Sequence, residues 1–112
     1  MNFNADKPIY LQIADSISDR ILSGQLKGED RIPSVRDYGA DLGVNPNTMM
    51  RAYEKLTADG VLYNKRGIGY FVAEDARELI LEAQRKEFIE KDVPAIRERL
   101  ALLGLDTTIF HQ

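Results

Sequence analysis

Asn45, Asn47, Thr48 and Arg51 are the residues whose types and spacing carry the clearest chemistry in this chain. Asn45 stands directly before Pro46, a favoured N-cap followed by proline at the first helical position, so a helix starts there. At ~100° per residue, Met49, Ala52, Tyr53 and Leu56 gather on one side of that helix. Asn47, Met50, Arg51, Glu54 and Ala58 lie opposite, with Thr48 and Lys55 at the edge. The outward side therefore offers an amide and a guanidinium near the N-terminal end of a helix. An asparagine pairs bidentately with adenine and an arginine with guanine, and a helix N-terminus offers unbonded N–H groups to a phosphate. The plain alternative is a good cap followed by a solvated arginine.

The surrounding elements place this helix third in a series. Pro8 occupies an early helix position, and Ile9, Ile13, Ile17 and Ile21 follow at i+4 spacing, one apolar stripe that ends near Ser23-Gly24. Ser34 with Asp37 three residues later starts a short second helix in the manner of a capping box. Its Val35, Tyr38 and Leu42 are expected to face inward, Gly39 costs it up to ~1 kcal/mol of helix stability, and Gly43 breaks it. The third helix runs to about Asp59-Gly60. Val61-Leu62-Tyr63 and Tyr70-Phe71-Val72 then read as two short strands around a basic, glycine-bearing tip, Lys65-Arg66-Gly67. Asp75 with Glu78 opens a further helical region in which Pro94 implies a break or sharp kink near Asp92-Val93. Gly104-Leu105 suits a helix end. The fold class is mainly α with a small β-hairpin: a winged helix-turn-helix over residues 1–73, then short C-terminal helices over 74–112.

Composition excludes several kinds of chemistry. Cysteine is absent and His111 is the single histidine, so thiolate sites, His-based metal clusters and a Ser-His-Asp relay lack material. Glu82, Glu87, Glu90 and Asp92 are interleaved with Arg85, Lys86 and Lys91, the pattern of a solvated helix face. Gly67-Ile68-Gly69 lies between strands with no helix after it, which is hairpin glycine and not a phosphate loop. The longest apolar run, Leu100 to Leu105, is six residues, far short of the ~20 of a membrane span. Met1 to Asp6 lacks the pattern of a leader. A cytoplasmic protein that is not an enzyme and needs no cofactor or metal is the expectation. Net charge is −3, which argues mildly against nucleic acid. Its distribution reverses that: Arg31 to Val72 holds six basic residues against four acidic, whereas Asp75 onward holds six against eight. A mildly basic middle suits a local contact with phosphates.

Residues 8–72 resemble the DNA-binding domain of GntR-type bacterial transcription regulators. The likeness rests on Pro8-Ile9-Tyr10-Leu11-Gln12-Ile13, Ile21-Leu22-Ser23-Gly24-Gln25-Leu26 and Ile32-Pro33-Ser34-Val35-Arg36. It continues through Leu42-Gly43-Val44, Arg51-Ala52-Tyr53, Leu56, Gly60 and Gly67-Ile68-Gly69-Tyr70-Phe71-Val72. Val44 to Thr48 followed by Arg51-Ala52-Tyr53 is similar to the YtrA subfamily. The resemblance implies that Ser34 and Arg36 contact DNA from the second helix. It implies that Asn45, Asn47 and Thr48 enter the major groove with Arg51 beside them, and that Lys65, Arg66 and Gly67 form a wing at the minor groove. The sequence departs from many relatives at Pro46, where they carry arginine. Met50 either touches a thymine methyl or is merely exposed.

From Asp75 onward, 17 of 38 residues are apolar, more than a solvated tail needs. Leu79, Ile80, Ala83 and Phe88, then Val93, Ile96, Leu100 and Leu103, are expected to form a homodimer interface, the alternative being that both helices fold back onto the winged helix of their own chain. Such a region has no room for a conventional metabolite pocket, and no effector ligand follows from it. The function expected is a transcription repressor that binds double-stranded DNA as a homodimer on a palindromic operator, without a membrane partner. The rival is a winged-helix protein-interaction module without specific DNA binding.

Overall fold

The computed structural model describes residues 6–111; the leader reading made on the first residues lies outside them. Helix α1 spans Ile9–Leu22 and buries Ile13, Ile17 and Ile21, while Ile9 is 55% exposed, so the expected stripe begins one turn late. Pro8 is the N-cap of this helix and not yet part of it. Helix α2 spans Val35–Leu42, and the Ser34 hydroxyl accepts the Asp37 N–H at 3.1 Å. Gly43, at φ 68°, ends it in the left-handed conformation that glycine adopts without Cβ strain. Helix α3 spans Pro46–Ala58 and ends at Gly60, where the Val61 N–H reaches back to the Leu56 carbonyl at 2.9 Å.

Strands β1 (Leu62–Lys65) and β2 (Gly69–Val72) pair antiparallel, with Tyr63 opposite Phe71 and Asn64 opposite Tyr70. The loop between α1 and α2 adds a third, irregular edge that sequence reasoning missed. Arg31 bridges Phe71, the Ile32 N–H donates to the Tyr70 carbonyl at 3.0 Å, and the Val72 N–H donates to the Asp30 carbonyl at 2.8 Å. The hairpin is thereby anchored to the entry of α2.

The core expected for α3 is the one observed: Met49, Ala52 and Tyr53 are fully buried and Leu56 nearly so. Each large apolar side chain removed from water stabilises by about 1.5–3 kcal/mol. Leu42 departs from expectation, being 50% exposed. The inner face of α2 is occupied by Tyr38 and by Gly39, whose backbone lies against the turn.

Helix α4 spans Ala76–Glu87. Ala76 and Ile80 are buried in the winged-helix core, and the first of two compact units runs up to Ile80. Ile80 is therefore not available to the dimer surface assigned to it, and the winged-helix core takes in the first five residues of α4, beyond residue 73. The second unit begins at Leu81. It holds the rest of α4, a π-helical turn at Phe88–Asp92, helix α5 (Val93–Leu102) and a 3-10 turn at Thr107–Phe110. The α-helical pattern is interrupted just before Pro94, at Phe88–Asp92, by a π-helical turn that keeps the chain helical. The Val93 N–H donates to the Phe88 carbonyl, five residues back, and this wider turn carries the chain into a proline that has no N–H to give. Leu105 closes α5 as expected, its N–H reaching Leu100 at 2.8 Å. Among the described residues no helix is long and apolar enough to cross a membrane.

Tyr53 donates its phenolic hydrogen to the Pro33 carbonyl at 2.5 Å, and burial pushes the phenol well above its usual titration range. The folded state thus keeps this proton to higher pH than the unfolded chain. Its stabilising contribution is complete below about pH 10 and is lost as pH climbs beyond it. Tyr53→Phe should cost about 1 kcal/mol in denaturant unfolding at neutral pH. It should also flatten the alkaline fall in stability measured by the same titrations.

Candidate nucleic-acid interface

The nine residues assigned to DNA from the sequence all lie in the first unit. Thr48 is half-buried and the other eight are exposed. Their local geometry divides them by what each has left to offer. Asn45 spends its side-chain oxygen on the cap, accepting the Asn47 N–H at 2.7 Å, so only its amide N–H groups remain. The Thr48 and Met49 N–H groups are bonded to the Asn45 carbonyl, at 3.0 and 3.1 Å. The phosphate site expected at this helix start is consequently closed: Pro46 has no N–H and the next three are taken. Asn47 is exposed, and its side-chain amide makes no hydrogen bond among the described residues.

Among the described residues, ion pairs join Lys7 to Asp15 and Lys55 to Asp59, and none involves Arg36, Arg51, Lys65 or Arg66. Two of these four cations lie over aromatic rings instead. The Arg51 guanidinium carbon is 4.1 Å from the Tyr10 ring centre, and the Lys65 ammonium is 4.5 Å from that of Phe71. Rings hold a cation weakly and leave it able to meet a phosphate or a base. Ser34 accepts a backbone N–H through its oxygen.

The hairpin tip is open. Gly67 has φ 81° and nothing near the position of an added Cβ, and Ile68 beside it is 55% exposed. Arg31, which sequence reasoning passed over, lies against Gly69, where a Cβ would meet its Nε at 3.1 Å. The signal for it was Gly69 itself, a residue without a side chain beside a basic tip. Tyr63 and Phe71 stack at 5.8 Å on the hairpin, and a hydrogen bond to the Glu29 carboxylate pushes the Tyr63 phenol up. Met50 has a structural partner that its position had hidden: the Tyr70 hydroxyl donates to its Sδ at 3.8 Å. Tyr70 also meets Tyr53 edge-on at 5.1 Å, so hairpin and α3 share an aromatic contact.

The turn between α2 and α3 is held by close backbone approach. A Cβ on Gly39 would stand 2.7 Å from the Val44 carbonyl oxygen and 3.2 Å from Met49 Cγ. The glycine that weakens α2 is what lets it pack this tightly on the start of α3.

Two packed helices, the second exposing an uncommitted amide and guanidinium, followed by a basic-tipped hairpin, define a winged helix-turn-helix of the DNA-binding class. Residues 9–72 match the family described as bacterial regulatory proteins, gntR family, and the chain belongs to that family. It is 32% identical over 99 residues to the HTH-type transcriptional repressor YtrA of Bacillus subtilis (strain 168), covering 88% of this chain and 70% of that protein. A solved GntR-family structure from Bacteroides thetaiotaomicron superposes with a TM-score of 0.78 at 46% identity, over 93% of this chain and 90% of that one. The DNA-binding domain of AraR, solved in complex with operator ORR3, gives 0.56 at 33% identity over 59% of this chain and 80% of that one. The protein is a DNA-binding transcription regulator.

Gly39→Ala should destabilise the fold by about 1–3 kcal/mol in thermal or denaturant unfolding, although alanine is the better helix former. A gain in stability would mean that the α2–α3 approach is looser than described.

Proposed function

We propose that this regulator is a repressor that acts in the cytoplasm as a homodimer on a palindromic operator. The observation that carries the reading is the exposed face of α3, where Asn47 and Arg51 stand without polar partners among the described residues. Placed in the major groove, Asn47 would pair with adenine and Arg51 with guanine. The hairpin tip, with Lys65 and Arg66 at an open glycine turn, would follow the backbone into the adjacent minor groove. Operator binding by the AraR domain supports this placement, and the repressor role of YtrA supports the direction of control. Repression by occluding polymerase requires no catalytic group.

The dimer is supported by the second unit. Phe88, Ile96 and Leu103 are exposed there, as are Ile89, Leu102, Leu105 and Phe110, and no residue of α5 is buried. Ala83 is exposed, and Val93 and Leu100 are half-buried. Leu79 is half-buried against Gly60 in the first unit, which leaves it a smaller share of any interface. A two-fold pair would cover the apolar surface and set two winged helices on two half-sites.

Selection of bound sequences from random duplex DNA tests the reading. It should return inverted half-sites centred about one helical turn, ~34–36 Å, or a multiple of that apart. Asn47→Ala or Arg51→Ala should relax preference at particular positions by about 1–3 kcal/mol. Isolated, unpaired half-sites would overturn the homodimer. A chain that selects nothing would favour the protein-interaction rival.

The wing is tested by salt. Each phosphate charge neutralised contributes about 0.9 to the slope of log K against log salt. Lys65→Ala with Arg66→Ala should therefore flatten a dimer's slope by up to about 3.6. An unchanged slope would take the wing out of the interface.

A further inference from the structure

Arg51 and Lys55 are neighbours one turn apart on α3, and they are held in different ways. Lys55 is paired with Asp59, so its charge is already committed to a carboxylate on its own helix. Arg51 makes no ion pair among the described residues, and its guanidinium rests on the Tyr10 ring of α1 at 4.1 Å. Tyr10 is no loose partner: it is half-buried and packed against the hydrophobic core. A carboxylate would occupy the guanidinium's N–H donors, whereas an aromatic ring attracts the charge and takes none of them. The arrangement restrains a long, rotamer-rich side chain without using up the groups that recognise guanine.

Resting on the DNA reading above, we propose that Tyr10 is a positioning residue for base recognition. It holds Arg51 in a restricted orientation on the outward face of α3 before DNA arrives. Ordering a mobile arginine on binding would otherwise subtract from affinity, and a restrained one loses less. The gain appears as discrimination, because it is realised only where Arg51 meets its guanine. Two other roles for Tyr10 make different demands. A strut that merely ties α1 to α3 would act whether or not Arg51 is present. A hydroxyl that touches a phosphate would need its oxygen, which the contact with Arg51 does not use.

The test uses the full chain, the operator selected from random duplex DNA, and a second duplex altered at the guanine whose preference Arg51→Ala abolishes. Tyr10→Phe, which keeps the ring, should bind both duplexes like the parent. Tyr10→Leu should weaken binding to the guanine-bearing duplex about two- to fivefold, the scale of an exposed cation–ring contact. It should leave the altered duplex nearly unaffected, so the preference between the two shrinks. In the Arg51→Ala background, Tyr10→Leu should have no further effect. Equal losses on both duplexes, or the same loss in the Arg51→Ala background, would overturn the proposal in favour of a strut. A loss in Tyr10→Phe would overturn it in favour of the hydroxyl. If Arg51→Ala keeps every base preference, Arg51 does not read a base and the proposal falls while DNA binding stands. If the parent chain selects no sequence, the DNA reading itself falls.

Discussion

Tyr53 ties together α2, α3 and the hairpin, the parts that make this molecule a winged helix-turn-helix. It sits on the buried side of α3, its hydroxyl holds the Pro33 carbonyl at the entry to α2, and its ring meets Tyr70 of the hairpin edge-on. The recognition helix, the helix before it and the wing therefore share one side chain, and Tyr70 returns from the wing to Met50 on α3. Burying a phenol is favourable only when its hydroxyl finds a partner, and the one it finds lies in another element. Around this contact, the close approach of Gly39 to the Val44 carbonyl sets how nearly α2 and α3 pack. Base recognition needs side chains held in fixed relation to each other, and here the buried face of α3 supplies what the exposed face requires.

The charge arrangement follows a related economy. The chain is acidic overall, with a net charge of −3, yet Arg36, Arg51, Lys65 and Arg66 are left without carboxylate partners among the described residues. Arg51 and Lys65 are held by rings, which limits their wandering at little electrostatic cost. Negative charge elsewhere opposes indiscriminate binding to a polyanion, while a local basic surface can still meet the few phosphates of a docked site. The closed N-terminus of α3 fits this division. Its cap and first turn use the N–H groups of Asn47, Thr48 and Met49, which a phosphate would otherwise meet.

Much of the fold was legible in the sequence because its signals are local. Ser34 with Asp37, Asn45-Pro46, and the glycines at 43, 60 and 104 each mark a helix end through backbone chemistry that acts within a few residues. The faces of α3 followed from its period. What stayed hidden depends on contacts between distant segments. Ile80 belonged to an apolar stripe, but periodicity cannot say which surface a stripe meets, and it meets the winged-helix core. Leu42 was placed inward by spacing and turned outward because backbone at Gly39 occupies the inner side. Pro94 signalled a break or sharp kink near Asp92-Val93, and the α-helical ladder is interrupted there, but by a π-helical turn whose form spacing does not give. The positions assigned to DNA lie on the surface apart from half-buried Thr48, but the places of Tyr10 and Arg31 beside them were not legible. Their places depend on a ring under one arginine and a bare glycine under the other, neither of which spacing along the chain reveals.

The account rests on α3 entering the major groove, and base methylation interference on the selected operator tests that most directly. Methyl groups at guanine N7 project into the major groove, and those at adenine N3 into the minor groove. Duplexes methylated at N7 within each half-site should be missing from the bound fraction, with N3 interference confined to the flanks where the wing tips lie. Bound and unbound DNA carrying N7 methyl groups equally would contradict the account, because no side chain of α3 would then be reading the major groove.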